Sequence, residues 1–585
     1  MTNQDVAAKL REVHDLMQLN GENRFKVIAF DRAAQTIEGL KTEVETYVEE
    51  GTLTDIKGIG KSIAEDITAL VETGTMPVLE SLKETVPKGL VEWLNISGLG
   101  PKNIVKIHKS LEITEMHELK EACESGAVAD LPGLGKKSAD KILKSIAYLE
   151  KFGERCRLDQ AYEVAEPMLA FVDGIEGVTK CEIAGSLRRS AETIGDVDIL
   201  AAAEKNKAGD IFEKFVSHEL VVEVLGRGDT KSSVRTENGR QVDLRIVSEK
   251  EYPAALMYFT GSKEHNIVLR QRARDRGMAL NEYGLFKLSE AKETDFDQPV
   301  EAGTETEIYE KLGLHFVPPE HREDRGEVEF YTDNESMDLL EQGQVRGVVH
   351  AHSTWSDGKY SIKQMADACI ERGYEYLTMT DHSKTAAYAG GLTVDQVKQQ
   401  WDEIDELNDE YSKKKFRIFK GIESDILADG SLDYPDEILE GFDIVIASVH
   451  SGLEMEYDKM MTRFENAIKN SFTDMIGHPT GRLLLKRSES KMDLNKLIEM
   501  AAEEGVAIEI NANPWRLDLD WRYGNKAKET GLLTSINPDA HTTEGIDNIR
   551  YGVMIARKAK FNPGRVLNTK SADEFAEWLR SRRES

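Results

Sequence analysis

The chain has 585 residues, 40% of them hydrophobic, and a net charge of −31. That length calls for several packed domains, and that charge excludes a nucleic-acid binder relying on bulk electrostatics, since a polyanion repels phosphates at long range. Four cysteines without a C-x-x-C pair exclude a disulfide framework and a cysteine zinc site, and with no basic, apolar leader and no run of about eighteen apolar residues, a cytoplasmic protein is expected.

Over the first 150 residues one pattern occurs three times: Ile56-Lys57-Gly58-Ile59-Gly60-Lys61, Ile96-Ser97-Gly98-Leu99-Gly100-Pro101-Lys102 and Leu131-Pro132-Gly133-Leu134-Gly135-Lys136-Lys137. Each sets apolar-x-Gly-apolar-Gly ahead of an amphipathic helix, such as that expected over 139–149. The glycines allow a tight turn and close backbone approach, and the helix N-terminus offers N–H groups to an anion. A single turn of this kind is more often a plain helix–helix connection. Three copies beside Lys61, Lys102, Lys136 and Lys137 point instead to helix-hairpin-helix units that hold a DNA backbone through Gly58, Gly60, Gly98, Gly100, Gly133 and Gly135.

From about Arg157 the pattern becomes mixed, with a helix over 159–171, a strand over 181–184 and a turn at Gly185-Ser186-Leu187-Arg188-Arg189. In Gly195-Asp196-Val197-Asp198-Ile199-Leu200 the two aspartates alternate with apolar residues and share one face of a strand. Asp243, in Gln241-Val242-Asp243-Leu244-Arg245-Ile246-Val247, reads as a third acid on another strand. Three such carboxylates suit two Mg²⁺ ions and an in-line phosphoryl or nucleotidyl displacement. The Gly185-Ser186 turn adds a hydroxyl, backbone N–H groups and the two arginines Arg188 and Arg189, a set suited to a triphosphate. After Tyr258-Phe259-Thr260-Gly261-Ser262, a basic helix carries Asn266, Arg270, Arg272, Arg274 and Arg276, with Asn266 and Arg270 on one face. The charged segment 320–344 reads as an interdomain linker with room for one helix.

Beyond it, apolar runs recur, each ending in potential metal ligands: Val348-Val349-His350-Ala351-His352 with Asp357, Thr378-Met379-Thr380-Asp381-His382, Gly421-Ile422-Glu423, Ala447-Ser448-Val449-His450, Ile476-Gly477-His478, Ile508-Glu509-Ile510-Asn511 and Pro538-Asp539-Ala540-His541. Helical patterns between them, as over 362–372 and 494–504, imply a parallel barrel of about seven units with its functional residues on one rim. A lone histidine at a strand end is usually structural. Nine ligands at six strand ends are not explained that way, and nitrogen and oxygen donors without cysteine suit more than one Zn²⁺, Mn²⁺ or Fe²⁺.

The combination of GSLRR, GDVD, VDLR, YFTGS and LNEYG makes residues 1 to 317 resemble the family X DNA polymerases, which include vertebrate DNA polymerase beta. The resemblance implies primer extension with dNTPs, and a catalytic role for Asp196, Asp198 and Asp243 as ligands of Mg²⁺ or Mn²⁺, with Asp243 helping to deprotonate the primer hydroxyl. It implies triphosphate contacts at Gly185, Ser186, Arg189 and Gly195, sugar contacts at Tyr258, Phe259 and Gly261, and minor-groove contacts at Asn266 and Arg270. Lys26 resembles a residue that binds the 5′-phosphate of a gap. One position departs: Asp66 stands where lyase-active members carry a Schiff-base lysine, and a carboxylate forms no imine, which leaves Lys26, Lys57 and Lys61 as substitutes.

The pattern HxH, SDG, TDHS, GIE, SVH, GHP and DAH resembles the PHP domain, which implies three metal ions in a distorted seven-stranded barrel, a 3′–5′ exonuclease and, in some members, activity at abasic sites. The expected organisation is an all-α helix-hairpin-helix region (1–88 and 89–150), an α/β nucleotidyltransferase palm (151–250), a nucleotide- and minor-groove-sensing part (251–317), a linker (318–345) and a distorted (β/α)7 PHP barrel (346–585). The expected partners are gapped or primer-template DNA and dNTPs, met by a nucleoid-associated monomer. Two rivals stand beside this: a phosphoesterase of small phosphorylated metabolites fused to a regulatory nucleotidyltransferase fold, and a non-catalytic DNA-end scaffold. The second would have no need to retain buried like charges at Asp196, Asp198 and Asp243.

Overall fold

The computed structural model describes residues 3–38, 40, 44–96, 99–152, 155–289, 294–333 and 337–584. The chain forms two compact units, Met1–Gly153 with Leu485–Arg487, and Glu154–Leu484 with Ser488–Ser585.

The first unit is all helical. Its longer helices are Asn3–Asn20, Arg24–Glu38, Lys61–Thr73, Pro101–Leu111 and Lys136–Phe152. They bury one apolar core that includes Leu10, Phe30, Ile67, Trp93, Ile107 and Ile146. The repeated turns owe their shape to that core: the apolar residue between each pair of glycines, Ile59, Leu99 or Leu134, is buried, while the described glycines flanking it are exposed. Gly60 and Gly100 stand in extended conformation directly before their helices, and Pro101 occupies the first turn, where its missing N–H costs nothing.

The second unit contains a five-stranded sheet, in the order Val178–Ile183, Asp196–Ala203, Gln241–Val247, Lys231–Thr236 and Val221–Arg227. Only the Asp196–Ala203 and Gln241–Val247 pair is parallel. The helix Leu158–Asp173 covers this sheet with Ala161, Val164, Ala165, Met168 and Val172. A second, antiparallel sheet of Met278–Asn281, Gly284–Leu288 and Thr294–Val300 follows the helices Tyr252–Thr260 and Lys263–Asp275.

Seven parallel strands then lie in chain order: Gly347–Ala351, Tyr376–Met379, Arg417–Asp425, Ile444–Ser448, Met475–Ile476, Ala507–Asn511 and Thr534–Asn537. A parallel bridge between Ala351 and Ala540 brings the last strand back to the first, so the sheet is a nearly closed barrel. Every residue of the first, second, fourth and sixth of these strands is buried, as a parallel sheet flanked by helices requires. The C-terminal helix Ala572–Glu584 packs Phe575 against Tyr376 and Phe419, with ring centroids 5.1 and 5.4 Å apart. The barrel and the five-stranded sheet share one continuous apolar core.

The 318–345 segment differs from the expected linker. Part of its charge is paired and buried rather than solvated, while Asp324, Arg325, Glu329, Asp333, Asp338 and Glu341 stay exposed: Arg322, fully buried, donates to Glu305 at 2.7 Å, and Glu327 lies 2.6 Å from His265 Nδ1. Val328, Tyr331 and Leu340 are buried with them. No helix among the described residues is long and apolar enough to cross a membrane.

Candidate active sites

In the five-stranded sheet, the parallel register pairs Asp198 with Asp243, and Asp196 precedes Asp198 by two residues on the same strand face. One carboxylate oxygen from each of the three acids lies within 4.8 Å of the others. Burial, reinforced by Asp196 and Asp243, pushes the Asp198 carboxyl up to about 7. Three carboxylates this close repel one another unless cations or protons intervene, so the set fits divalent metal ions. Lys231 Nζ lies 2.5 Å from Asp243 Oδ2, and Gln241 Nε2 donates to Asp243 Oδ1 at 3.0 Å.

The turn above these acids is one short helix, Gly185–Arg188. A Cβ at Gly185 would lie 2.2 Å from Asp198 Oδ2, and the residue has φ +62°, so only glycine lets the turn approach this closely. Ser186 and Gly195 are half-buried at this end of the sheet. Arg189 donates to the Thr260 carbonyl at 2.6 Å and to Glu323 at 3.1 Å. Arg188, expected beside it as a second phosphate grip, is committed elsewhere: it pairs with Glu305 at 2.8 Å and Glu182 at 3.1 Å and donates to Thr260 Oγ1. Sequence alone could not show the Glu305 and Thr260 partners, because they lie 117 and 72 residues away.

Tyr258 and Phe259 close the helix Tyr252–Thr260, and Arg245 stacks on Phe259 at 4.1 Å. Gly261 is next, with φ +71°, and a Cβ there would stand 3.1 Å from the Arg189 guanidinium. Asn266 Nδ2 donates to the Tyr258 carbonyl at 2.8 Å, which ties the two segments together, and Arg270 is exposed on the same helix. Arg272 is a fastening rather than a free basic group, since it donates to the carbonyls of Leu312 and Gly313.

All nine expected ligands converge at the C-terminal rim of the barrel. Glu423 is central: His478 Nε2, His450 Nε2 and His382 Nδ1 lie 2.9, 3.2 and 3.0 Å from its oxygens, and His350 Nε2 lies at 3.4 Å. His352 Nε2 is 3.2 Å from Asp539, and His541 Nε2 is 3.3 Å from Asp357. Three overlapping groups have ligand geometry: His352, Asp357, His382 and His541; His350, His352 and Glu423; His382, Glu423 and His450. His350, His478 and Asp539 have φ of +70°, +24° and +50°, backbone strain that re-aims side chains at the strand ends.

Fit to metal is visible in unsatisfied atoms. His350 Nε2, both ring nitrogens of His352, His382 Nδ1 and His478 Nδ1 are buried without a well-aligned hydrogen bond, although carboxylate oxygens lie 3.4, 3.2 and 3.0 Å from His350 Nε2, His352 Nε2 and His382 Nδ1. Burial lowers both His450 and His541, and the neighbouring carboxylates outweigh it, holding His450 up to about 10 and His541 up to about 9.

Three further acids, outside the nine expected ligands, take part in the cluster. Glu509 lies 2.7 Å from His350 Nδ1 and accepts from the His478 backbone N–H at 2.6 Å. Asp425 lies 2.5 Å from His450 Nδ1. Asp381 accepts from Ser353, Ser356 and Gln400 and so shapes the loop leading to Asp357. Outer carboxylates of this kind fix histidine orientation and tautomer. The signal available was alternation: Glu423 and Asp425, and Glu509 and Asn511, share a strand face at its C-terminal end.

In the helical unit, Lys26, Gly58, Gly60 and Lys61 line a cavity of about 610 Å³, and Asp66 is half-buried on the helix that begins at Lys61. Gly58 and Gly133 have φ +103° and +80°, so both turns need glycine. Gly100 and Gly135 are exposed immediately before their helices, and Gly98 lies outside the described residues.

Residues 1–76 match a helix-hairpin-helix domain, 91–147 a SAM-like helix-hairpin-helix tandem, 255–323 the DNA polymerase beta thumb and 349–513 the PHP domain. The chain is 40% identical over 582 residues to a Bacillus subtilis (strain 168) protein named DNA polymerase/3′-5′ exonuclease PolX, covering 99% of this chain and all of that one. It is 24% identical over 342 residues to DNA polymerase lambda of Rattus norvegicus, covering 55% and 56% of the two chains. Over 251 residues it is 29% identical to a Thermoanaerobacter sp. (strain X514) protein named "Probable phosphatase", covering 40% of this chain and 94% of that one. With its clustered sheet acids, helix-hairpin-helix units and a barrel rimmed by histidines and acids, the chain belongs to the family X DNA polymerases that carry a C-terminal PHP domain.

Proposed function

We propose that this chain extends the 3′ end of a DNA primer with dNTPs and degrades the same kind of end from 3′ to 5′ in its barrel, acting in gap filling during base excision repair. The observation that carries the reading is the presence in one compact unit of two separate ligand sets: Asp196, Asp198 and Asp243 beside the Gly185 turn, and the nine-residue rim. Asp196, Asp198 and Asp243 would hold two Mg²⁺ or Mn²⁺ and the barrel residues three Zn²⁺, Mn²⁺ or Fe²⁺; bound there, such ions supply charge neutralisation at phosphate and acidify a hydroxyl or water.

The side chains do the rest. Ser186 and Arg189, with the backbone of Gly185 and Gly195, receive the triphosphate, and Asp243 takes the primer hydroxyl proton. Tyr258, Phe259 and Gly261 crowd the sugar, and Asn266 and Arg270 read the minor groove. Lys26, Gly58, Gly60, Gly98, Gly100, Gly133 and Gly135 hold the DNA backbone, through local contacts that an acidic chain can sustain. In the barrel, Glu509 and Asp425 keep His350 and His450 oriented toward the ligand cluster. The protein acts as a cytoplasmic monomer.

A second reading has one observation in its favour: the match to the "Probable phosphatase" covers 94% of that protein and is consistent with a barrel that hydrolyses small phosphate esters. A time course of a 5′-labelled primer in a one-nucleotide gap with Mn²⁺ separates the two. Extension with dNTPs and shortening without them supports the proposal. An unchanged primer, with hydrolysis of small phosphate esters, favours the second reading.

A further inference from the structure

The residues that follow the Gly185 turn are tied to the barrel domain at two points. At Glu192, which is buried, the carboxylate accepts from Arg482 at 2.9 Å, from Trp521 Nε1 at 3.2 Å and from Arg522 at 3.2 Å. At Arg189, the main-chain carbonyl accepts from Lys558 Nζ at 2.7 Å. Lys558 is the last residue of the helix Ile549–Lys558, and its side chain is 1% exposed. The same ammonium donates to Glu323 Oε1 at 2.6 Å and to the Glu320 carbonyl at 3.2 Å. Glu323 Oε1 also accepts from Arg189 Nε, so one carboxylate oxygen is shared by a barrel lysine and the arginine of the turn.

All three acceptors of Lys558 belong to the polymerase half: Arg189 in the palm, and Glu320 and Glu323 within the thumb match. Plain packing does not call for this arrangement, because an apolar side chain of similar volume fills such a space without the desolvation cost of a buried ammonium. What the ammonium adds is charge balance. Glu323 alone would compete with a phosphate for the Arg189 guanidinium, and Lys558 offsets that competition while fixing the Arg189 backbone.

We propose that Lys558, outside both metal-ligand sets, is a positioning residue for nucleotide addition: by sharing Glu323 it keeps Arg189 available to the incoming triphosphate and makes the palm's nucleotide affinity depend on the barrel domain. This rests on the reading of Arg189 as a triphosphate ligand.

The test uses the full chain, saturating gapped DNA, and two activities, dNTP addition and shortening of a single-stranded oligonucleotide. Lys558→Met should raise the KM for dNTP about tenfold, equivalent to about 1.4 kcal/mol, with kcat and the shortening activity within about threefold of the parent. Adding Glu323→Gln to Lys558→Met removes the uncompensated competitor and should return the KM to within about threefold of the parent, an outcome a merely structural lysine would not produce. An unchanged KM in Lys558→Met, or a double variant as impaired as the single one, overturns the proposal. Should Lys558→Met lose both activities through misfolding, the double variant, which deletes the two charges together, decides: a KM near that of the parent supports the charge balance and a tenfold rise refutes it. Arg189→Ala is run in parallel. If it leaves the dNTP KM unchanged, the reading of Arg189 fails; if it raises the KM and Lys558→Met does not, only the coupling fails.

Discussion

Asp198 and Asp243 face each other across the parallel pair of the five-stranded sheet, residue opposite residue, with Gly185 pressed so close to Asp198 that no other residue fits. Register therefore does the positioning: a slip of one residue would turn either carboxylate to the opposite face. Asp243→Asn keeps the shape and removes the charge. Primer extension should fall by at least about a hundredfold while 3′ shortening stays within about threefold, because the barrel ligands are a different set of residues. Equal loss of both activities in a denaturing-gel assay would show that the two sites are not separate.

His352→Ala is the converse case. His352 belongs to two of the three residue groups in the barrel that could hold a metal ion, and its buried ring nitrogens make no well-aligned hydrogen bond, so the proposed function assigns the ring to ligation. Its removal should abolish shortening of a labelled oligonucleotide to below about one hundredth of the parent and lower the bound metal per chain, with dNTP addition unaffected. Retained shortening would place the nuclease outside this cluster.

Much of this was legible from residue order alone, and the exceptions share a cause. Period-2 alternation picked out the three acids that the sheet brings together, and apolar runs ending in His, Asp or Glu picked out nine residues that meet at the barrel rim, because both signals are local. Partners distant in sequence were not readable. Arg188 looked equivalent to Arg189 until Glu305 was placed beside it, and the charged 320–344 segment read as an interdomain linker because Arg322–Glu305 and His265–Glu327 join residues 17 and 62 apart. Glu509 and Asp425 fell outside the expected ligand set because their place behind His350 and His450 depends on contacts between strands distant in sequence.

The helical unit carries a prediction about lyase chemistry. Asp66 is half-buried on the helix Lys61–Thr73, and burial raises its carboxyl, yet in neither protonation state can it form an imine. Borohydride reduction in the presence of a 5′-deoxyribose phosphate end should give no covalent protein–DNA adduct. A strong adduct, mapped by peptide mass to Lys26, Lys57 or Lys61, would show that another amine has taken over the task.

The palm acids also set a pH dependence whose direction is unusual for carboxylates. Asp198 is held up at about 7 by burial and by the charges of Asp196 and Asp243, well above its ordinary 3.8. In the metal-free protein the folded state therefore binds this proton more tightly than the unfolded chain does. Its contribution favours folding at low pH and is lost as pH rises from about 4 through about 7, the reverse of an acid paired with a cation. Mg²⁺ must displace the proton, so affinity at this site should fall by up to about tenfold per unit as pH drops below 7 and level off above it. The Mg²⁺-induced rise in Tm should accordingly be larger at pH 8 than at pH 6, and the difference should disappear in Asp198→Asn. Mn²⁺ binding followed by electron paramagnetic resonance, in a His352→Ala background that weakens the barrel site, isolates the palm contribution. An affinity that is flat between pH 6 and pH 8 would mean that Asp198 is already ionised at pH 6, and that Lys231, 2.5 Å from Asp243, neutralises the cluster more fully than its geometry implies.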